Sequence, residues 1–478
     1  MATPIPENRA SFQWAELAEV TRGLSSGSGP IAVSGVTSDS RRVRPGNLFA
    51  ALPGEHFDGH AFVEQAVRAG ATGVLVERPV AVPAGVGICQ VPSVLAALAD
   101  LARYHRQRLA CKVIAVAGSA GKTTTKTLIA AALEAVAPGR VHSTPGNLNN
   151  AVGVPFVLFG LEPQHRFLVV EIGTNRLGEV EQLARAVKPD VGVLTLIGLE
   201  HTEGLGDIDS IEAEEAALLF QVPTAGSVVF NADDFRVRRQ ALHAPARTKI
   251  GYGRDALAAY RLVKRVTRSL HRAELELERP DGSRVVLESP LLGEAGALAV
   301  SCAFAVAELC RGSVLEPAEL NARFGAAAAS AEGRLALTEL RDGSVVIDDS
   351  YNSNPASVRS SLSVAAELAG QRGARLLLVL GEMLELGPLA VAEHRRLGED
   401  LATVPAAFVV AVAGHARELV APARAAGIDA EFAEAGERAL SLVLDRMQPR
   451  DVVLVKASRG VRAEGVVRGI IAAKGASA

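Results

Sequence analysis

The chain has 478 residues, enough for about three domains of ordinary size. Hydrophobic residues make up 49% and charged residues 22%, a globular balance that excludes a chiefly disordered chain. Lys and Arg number 50 against 53 Asp and Glu, so the formal net charge is −3 and no global basic field points to nucleic acid.

Cys89, Cys111, Cys302 and Cys310 lie far apart, without metal-ligand spacing and too few for a disulfide framework. Reduced, buried thiols in a cytoplasmic protein are expected. The opening MATPIPENRA lacks the apolar core of a secretory signal. The longest apolar stretches, such as residues 296–307, are too short to span a bilayer, so no membrane insertion is expected.

Three blocks follow one another, with expected domains at 1–90, 91–312 and 313–478. The first has a polar stretch at 25–30, then GVTSDSRRVRPGNLFAALPGEHFDGH at 35–60, a helical run over 61–69 and a strand over 73–77. Pro79, Pro83 and Pro92 then punctuate the chain. The second block alternates helical runs with strands over 113–117, 167–172, 191–196 and 227–231. A hairpin is predicted where Leu275 and Leu277 alternate before the turn Pro280-Asp281-Gly282, and an Ala-rich helix over 297–309 closes the block. The third block repeats the alternation with strands over 344–348, 375–380, 407–412 and 452–456. This pattern predicts an α/β protein with mostly parallel sheets, without short-period repeats or coiled coil. Nearly every strand in the last two blocks ends in glycine or polar residues, where open α/β sheets place their ligands.

The strand over 113–117 runs into Gly118-Ser119-Ala120-Gly121-Lys122-Thr123-Thr124-Thr125 and then a helix over 126–135. Glycines let backbone N–H groups curl around phosphate oxygens, and the helix N-terminus adds partial positive charge. Lys122 supplies a cation for the β- and γ-phosphates and Thr123 a hydroxyl for Mg²⁺. The strict pattern wants another glycine where Val116 stands; the strand–loop–helix context still predicts nucleoside triphosphate binding. Glu171 near its strand end suits Mg²⁺ shared with phosphates, or alternatively a local cap. His201 alone is more often structural than catalytic. Over 208–222, Ile208, Ile211, Leu218, Leu219 and Val222 share one helical face, with Glu215 in mid-stripe, Glu212 at its edge and Glu214 further round. A buried carboxylate needs a partner or a metal, although a glutamate snorkelling to the helix end is the bland alternative.

GSAGKTTTKT, TPGNLNNAVGVP (144–155), VVEIGTN (169–175), HTEGLG (201–206), NADD (231–234), EGRL (332–335), IDDSYNSNP (347–355), LGEMLELG (380–387) and VKASRGVRAE (455–464), in this order, resemble the Mur ligase family. DDSYNSNP, GEMLELG and KASRGVRAE resemble its D-alanyl-D-alanine-adding branch, and TSDSR and PGEHFDGH resemble that branch's uridine-nucleotide domain. The resemblance implies an N-terminal UDP-substrate domain, a central ATPase domain and a C-terminal Rossmann-like domain. It also implies an ATP-dependent ligase that joins UDP-MurNAc-tripeptide to D-Ala-D-Ala through an acyl phosphate in peptidoglycan precursor synthesis. By the same resemblance, Gly118, Ser119, Ala120, Gly121, Lys122, Thr123 and Thr124 hold ATP. Thr123 and Glu171 hold one Mg²⁺, and His201 serves a second. Arg334, Asp349 and Asn352 contact nucleotide. Asn149 and Asn150 lie near the sugar-peptide, Ser38, Asp39 and Ser40 near the uridine diphosphate, and Lys456, Ser458 and Arg459 on the peptide side.

Two departures stand out. The family commonly carries a CO₂-carbamylated lysine fourteen positions after the histidine, where this chain has Glu215, so Glu215 is expected to supply the second metal's carboxylate directly. The family segment GxHNxxNxLAA, which helps hold adenine, corresponds here to LLGEAGALAVSCAFAVA (291–307), with Ala295, Gly296 and Ala299 in place of His, Asn and Asn. Competing expectations are another Mur-type or folylpolyglutamate synthase-like amide ligase, or a catalytically weakened paralogue that binds UDP-muramyl peptides. Monomeric behaviour is expected.

Overall fold

The computed structural model describes residues 3–26, 31–54, 58–328 and 333–477. Residues 27–30, residues 55–57 of PGEHFDGH and Glu332 of EGRL therefore lie outside the described residues. In the N-terminal block the strands Val36–Thr37, Leu48–Ala50, Gly73–Val76 and Gly87–Gln90 form a parallel sheet, which Leu24–Ser26 joins antiparallel. The helix expected over 61–69 is a 3₁₀ turn, Gly59–Phe62, leading into Val63–Arg68, because Asp58 caps the turn through the His60 N–H.

Nine strands form the central sheet, and Lys112–Ala117 lies between Phe167–Glu171 and Val191–Leu194. These are short, almost purely apolar runs, as a parallel sheet covered on both faces requires. Alternate residues point to opposite layers. Ile114 and Val116 meet Leu128, Ile129 and Leu133 of Lys122–Val136, together with Ala303 and Phe304 of Gly293–Arg311. Val113, Ala115 and Ala117 join the opposite core with Phe156, Leu183 and Leu218. The predicted hairpin is present as Arg272–Glu278 paired with Arg284–Ser289.

The Ala-rich helix is longer than the sequence suggests. At 19 residues, Gly293–Arg311 is long and apolar enough to cross a membrane by length and composition, which corrects the expectation that no apolar stretch reaches that length. Its most apolar window is 72% buried within the protein, in contact with Lys122–Val136 and the sheet. It is therefore a core helix. Leu315, Leu320 and Phe324, around the helix Pro317–Ala328, are buried in the same core.

The C-terminal sheet has the order Ala336–Glu339, Val345–Asp349, Val452–Lys456, Leu376–Gly381, Ala406–Val412, Asp429–Ala433, parallel except for its first strand. Asp349, Gly381 and Lys456 end three adjacent strands on the side facing the central domain. Arg265 and Thr267 of the central block bind Glu367 at 2.7 and 2.6 Å, tying the two domains together. Among the described residues, the chain is an α/β protein of three domains.

Candidate active site

The phosphate loop leaves its strand at Ala117, and its shape is fixed by a short list of contacts. Gly118 has φ +125°, and a Cβ there would stand 2.3 Å from Thr195 Oγ1 and 3.0 Å from the Leu196 backbone nitrogen. Thr195 Oγ1 donates to the Ala120 carbonyl at 2.7 Å, Ser119 N donates to the Leu196 carbonyl at 2.7 Å, and Gly198 N donates to Ser119 Oγ at 3.0 Å. Gly121, at φ +81°, opens the helix Lys122–Val136, so Thr123 and Thr124 stand in its first turn. Gly118→Ala is expected to cost about 1–3 kcal/mol of stability, because neither the backbone angle nor the space admits a methyl group. Nucleotide binding should weaken with it; thermal melting and ATP titration check both.

Lys122 points back into a ring of carboxylates. Its Nζ lies 3.4 Å from Glu200 Oε2 and 3.9 Å from Glu215 Oε1. Burial alone lowers a lysine pKa, but Glu200, Glu215 and Glu171 together outweigh it and raise that of Lys122. Glu200, 3% exposed, goes the other way for a carboxylate. Burial raises its pKa well above the ordinary value, Lys122 opposes that, and Glu215 adds to it. Glu215 is fully buried, and its Oε2 accepts the Gly118 N–H at 2.6 Å. Glu171 accepts from Asn149 Nδ2 at 2.8 Å, while its own N–H donates to Thr144 Oγ1 at 3.0 Å. One oxygen on each of these three carboxylates, Glu171 Oε2, Glu200 Oε1 and Glu215 Oε1, is buried without a hydrogen-bond partner.

The helix Ile208–Phe220 carries three buried glutamates rather than one, and each has a separate task. Glu212 accepts from Arg236, Arg239 and Gln240, fixing the neighbouring helix Phe235–His243. Glu214 accepts from Gly178 N at 2.6 Å and Val180 N at 2.8 Å, capping the helix Glu179–Val187. Glu215 alone faces the phosphate loop.

His201 holds a left-handed backbone (φ +46°) just before the short helix Thr202–Leu205. Its Nδ1 is hydrogen-bonded to Glu385 of the C-terminal domain, and its Nε2 is 3.9 Å from Glu200 Oε2. Asn354, which caps the helix Pro355–Arg372, donates to the Ser119 carbonyl at 3.1 Å and so reaches the phosphate loop from the C-terminal side. Glu200, Glu385, Asn354 and Thr195 were not singled out from the sequence. Three of them lie inside motifs that were recognised or one residue away from them, but nothing local distinguishes them from solvated neighbours.

At the C-terminal strand ends, Lys456 Nζ donates to Asp349 Oδ2 at 2.5 Å and to the Asn352 carbonyl at 2.9 Å. Ser458 Oγ accepts from Leu384 N and donates to the Ser353 carbonyl. Arg334 and Arg459 both cover the Tyr351 ring, at 4.2 and 5.1 Å from its centroid. Residues expected on the nucleotide side and on the peptide side thus form one cluster. In the N-terminal domain, Asp39 caps the turn Ser40–Arg42, and its hydrogen bonds with Arg41 hold its carboxyl below the ordinary range. Ser40 Oγ donates to Gln65 Oε1, and Ser38 precedes the cap. Asn150 accepts the N–H groups of Val152 and Gly153, so it shapes a turn while Asn149 supports Glu171. In the altered adenine segment Gly296 has a packing reason, since a Cβ there would stand 2.7 Å from Leu291 Cβ. At Gly293 (φ +74°), a glycine the family pattern shares, a Cβ would stand 2.3 Å from Val364 Cγ2, where the helix Pro355–Arg372 crosses.

Among the described residues, no three His, Cys, Asp or Glu side chains stand together as a complete protein cage for a metal. Mg²⁺ seldom uses such a cage; one or two carboxylates with waters and substrate phosphates are its usual shell. The three orphaned carboxylate oxygens around Lys122 fit that demand.

Family models for the Mur ligase family catalytic domain, the Mur ligase middle domain and the Mur ligase glutamate ligase domain match residues 32–106, 116–307 and 333–459. The UDP-N-acetylmuramoyl-tripeptide--D-alanyl-D-alanine ligase of Escherichia coli (strain K12) is 31% identical, covering 96% of this chain and 98% of its own. The crystal structure of MurF from Acinetobacter baumannii superposes with a TM-score of 0.85 at 28% identity, covering 98% of this chain and all of that one. MurF ligase from Thermotoga maritima in complex with ADP gives a TM-score of 0.78 at 26% identity, covering 91% and 96%. With three matched domains in order and full-length similarity above 30% identity, the chain belongs to the Mur ligase family.

Proposed function

We propose that the protein is an ATP-dependent ligase that joins UDP-MurNAc-tripeptide to D-Ala-D-Ala in peptidoglycan precursor synthesis, acting as a monomer in the cytoplasm. The observation that carries this reading is Lys122, half-buried between the buried Glu200 and Glu215 at the mouth of a phosphate loop, which a docked C-terminal domain touches through Asn354. Similarity along the whole chain to ligases of that name supports the substrates.

A carboxylate resists attack by an amine until one of its oxygens becomes a good leaving group; phosphorylation from ATP achieves this, and the amine then displaces phosphate. In-line phosphoryl transfer rests mainly on positioning and charge neutralisation. Lys122 and the loop N–H groups from Ala120 to Thr124 neutralise and orient the phosphates, while Gly118 and Ser119, whose N–H groups go to Glu215 and the Leu196 carbonyl, hold the loop in shape. Thr123, Glu171, His201 and Glu215 would hold Mg²⁺, which supplies further neutralisation and oxygen templating when bound. Glu200 keeps Lys122 aimed inward. Arg334, Asp349 and Asn352 serve the nucleotide, Asn149 and Asn150 the sugar-peptide, Ser38, Asp39 and Ser40 the uridine diphosphate, and Lys456, Ser458 and Arg459 the peptide side. The domain boundaries we propose lie near residue 90 and, because Leu320 and Phe324 are buried in the central core, C-terminal to the helix Pro317–Ala328 rather than at 312.

A phosphate-release assay with the tripeptide nucleotide, ATP and Mg²⁺, adding D-Ala-D-Ala last, tests the assignment. Release should begin only on that addition. Release driven by a single amino acid instead, or binding of the nucleotide-peptide without turnover, would assign the chain to another ligase or to a binding protein.

A further inference from the structure

We propose that Glu385 of the C-terminal domain is a positioning residue for His201, so that docking of that domain and presentation of the imidazole to a divalent cation are one event. This rests on the ligase reading above.

A carboxylate can only accept a hydrogen bond, so the His201 Nδ1 that faces Glu385 carries the proton, and in the neutral imidazole, the form that binds a cation, Nε2 keeps the lone pair. Nε2 is the atom turned toward the carboxylate ring, 3.9 Å from Glu200 Oε2. A carboxylate that fixes the tautomer and ring orientation of a ligating histidine is a general device of metal sites. Here the carboxylate comes from a different domain, 184 residues away in sequence.

The contact is built, not incidental. Both residues have left-handed backbones, φ +46° at His201 and +63° at Glu385, an arrangement that surrounding structure must enforce. Two further bonds run alongside: Thr202 Oγ1 donates to the Leu386 carbonyl at 2.8 Å and Glu203 N to the Glu385 carbonyl at 3.2 Å. Gly387 lies against Glu203, with room for no more than a tight contact (3.3 Å) at its Cβ position. Residues 201–203 are thus fastened to 385–387 by a short double strap beside the His201–Glu385 bond, and it is the Glu385 carboxylate, present only when the C-terminal domain is docked, that aims the imidazole.

Three variants separate aiming from simple adhesion: Glu385→Ala removes the acceptor, Glu385→Gln keeps an acceptor without charge, and Thr202→Val removes one of the two parallel bonds without touching Nδ1. Mn²⁺ binding in the presence of a non-hydrolysable ATP analogue, followed by electron paramagnetic resonance, is measured together with kcat and KM for ATP. Glu385→Ala should weaken Mn²⁺ binding and kcat by about 10- to 100-fold with KM for ATP little changed, and Glu385→Gln should recover part of both. Thr202→Val should leave Mn²⁺ affinity near that of the unaltered protein. Wild-type Mn²⁺ affinity in Glu385→Ala overturns the proposal, as does an equal loss in Glu385→Ala and Thr202→Val. The metal titration needs neither the sugar-peptide nor D-Ala-D-Ala, so failure of the acceptor assignment shows separately, as an absence of acceptor-dependent phosphate release in the unaltered protein.

Discussion

Replacement of Lys122 by methionine lowers the rate of phosphate release by at least about 10³-fold, because the transferred group loses its only fixed protein cation within the loop. Methionine keeps most of the volume, so packing survives while charge does not. The same change exposes what the lysine does for the fold. Glu200 and Glu215 are left as two buried carboxylates with no cation between them. Breaking a buried pair by removing one partner costs about 3–5 kcal/mol, unless the remaining acid takes up a proton. Glu200 already leans that way, since burial holds its pKa well above the ordinary value even with Lys122 opposing. The sign of the pH dependence follows. Between the ordinary glutamate value and the raised one, the folded protein keeps a proton that the unfolded chain releases. Stability from this group is therefore complete at low pH and is lost as pH rises through the folded value, by at most about 1.4 kcal/mol per pH unit. In Lys122→Met the opposing influence is gone, so the decline extends to higher pH. Melting curves of metal-free protein from about pH 6 to about pH 9 read this directly. A parallel pair of curves for the two proteins would count against the carboxylate ring as a coupled unit.

The phosphate loop was legible in sequence because its chemistry is local: glycines, a lysine and a threonine at fixed offsets between a strand and a helix. The buried parallel strands were legible for a similar reason, since a strand covered on both faces has no choice but to be apolar. Val141–Ser143 and Asp429–Ala433 were not, because edge strands three to five residues long with partly exposed faces carry neither an apolar run nor clean alternation. The helix Ile208–Phe220 shows the limit from another side. Its face pattern pointed to one buried glutamate, yet Glu212 and Glu214 are buried as well, each satisfied by groups that approach from other helices. Glu200, Glu385 and Asn354 became visible only in three dimensions, since their partners lie 78, 184 and 235 residues away. Gly296, which reads as a defect in the adenine segment, sits where a Cβ would meet Leu291 Cβ at 2.7 Å.

Glu215→Gln is expected to lower kcat by about 10²- to 10³-fold while leaving the loop folded. Gln can still accept the Gly118 N–H, which Glu215 Oε2 now takes at 2.6 Å, so the amide separates the anchoring task from the charge. Glu215→Ala removes both and should be the poorer protein in melting temperature as well as rate. What the charge does is set by geometry. Oε1 is fully buried, lacks a hydrogen bond, and lies 3.9 Å from Lys122 Nζ, a place where an uncompensated anion is tolerable only if a cation shares it. A carbamylated lysine would present the same pair of oxygens, but only after reaction with CO₂. Glu215 presents them permanently. The unaltered protein should therefore turn over at the same rate in CO₂-depleted buffer and in bicarbonate, and bicarbonate should not rescue Glu215→Ala. A rate that climbs with bicarbonate would mean that some lysine, not Glu215, supplies the anion. A Glu215→Ala variant with unaltered rates at saturating Mg²⁺ would mean that the site needs no anion there at all.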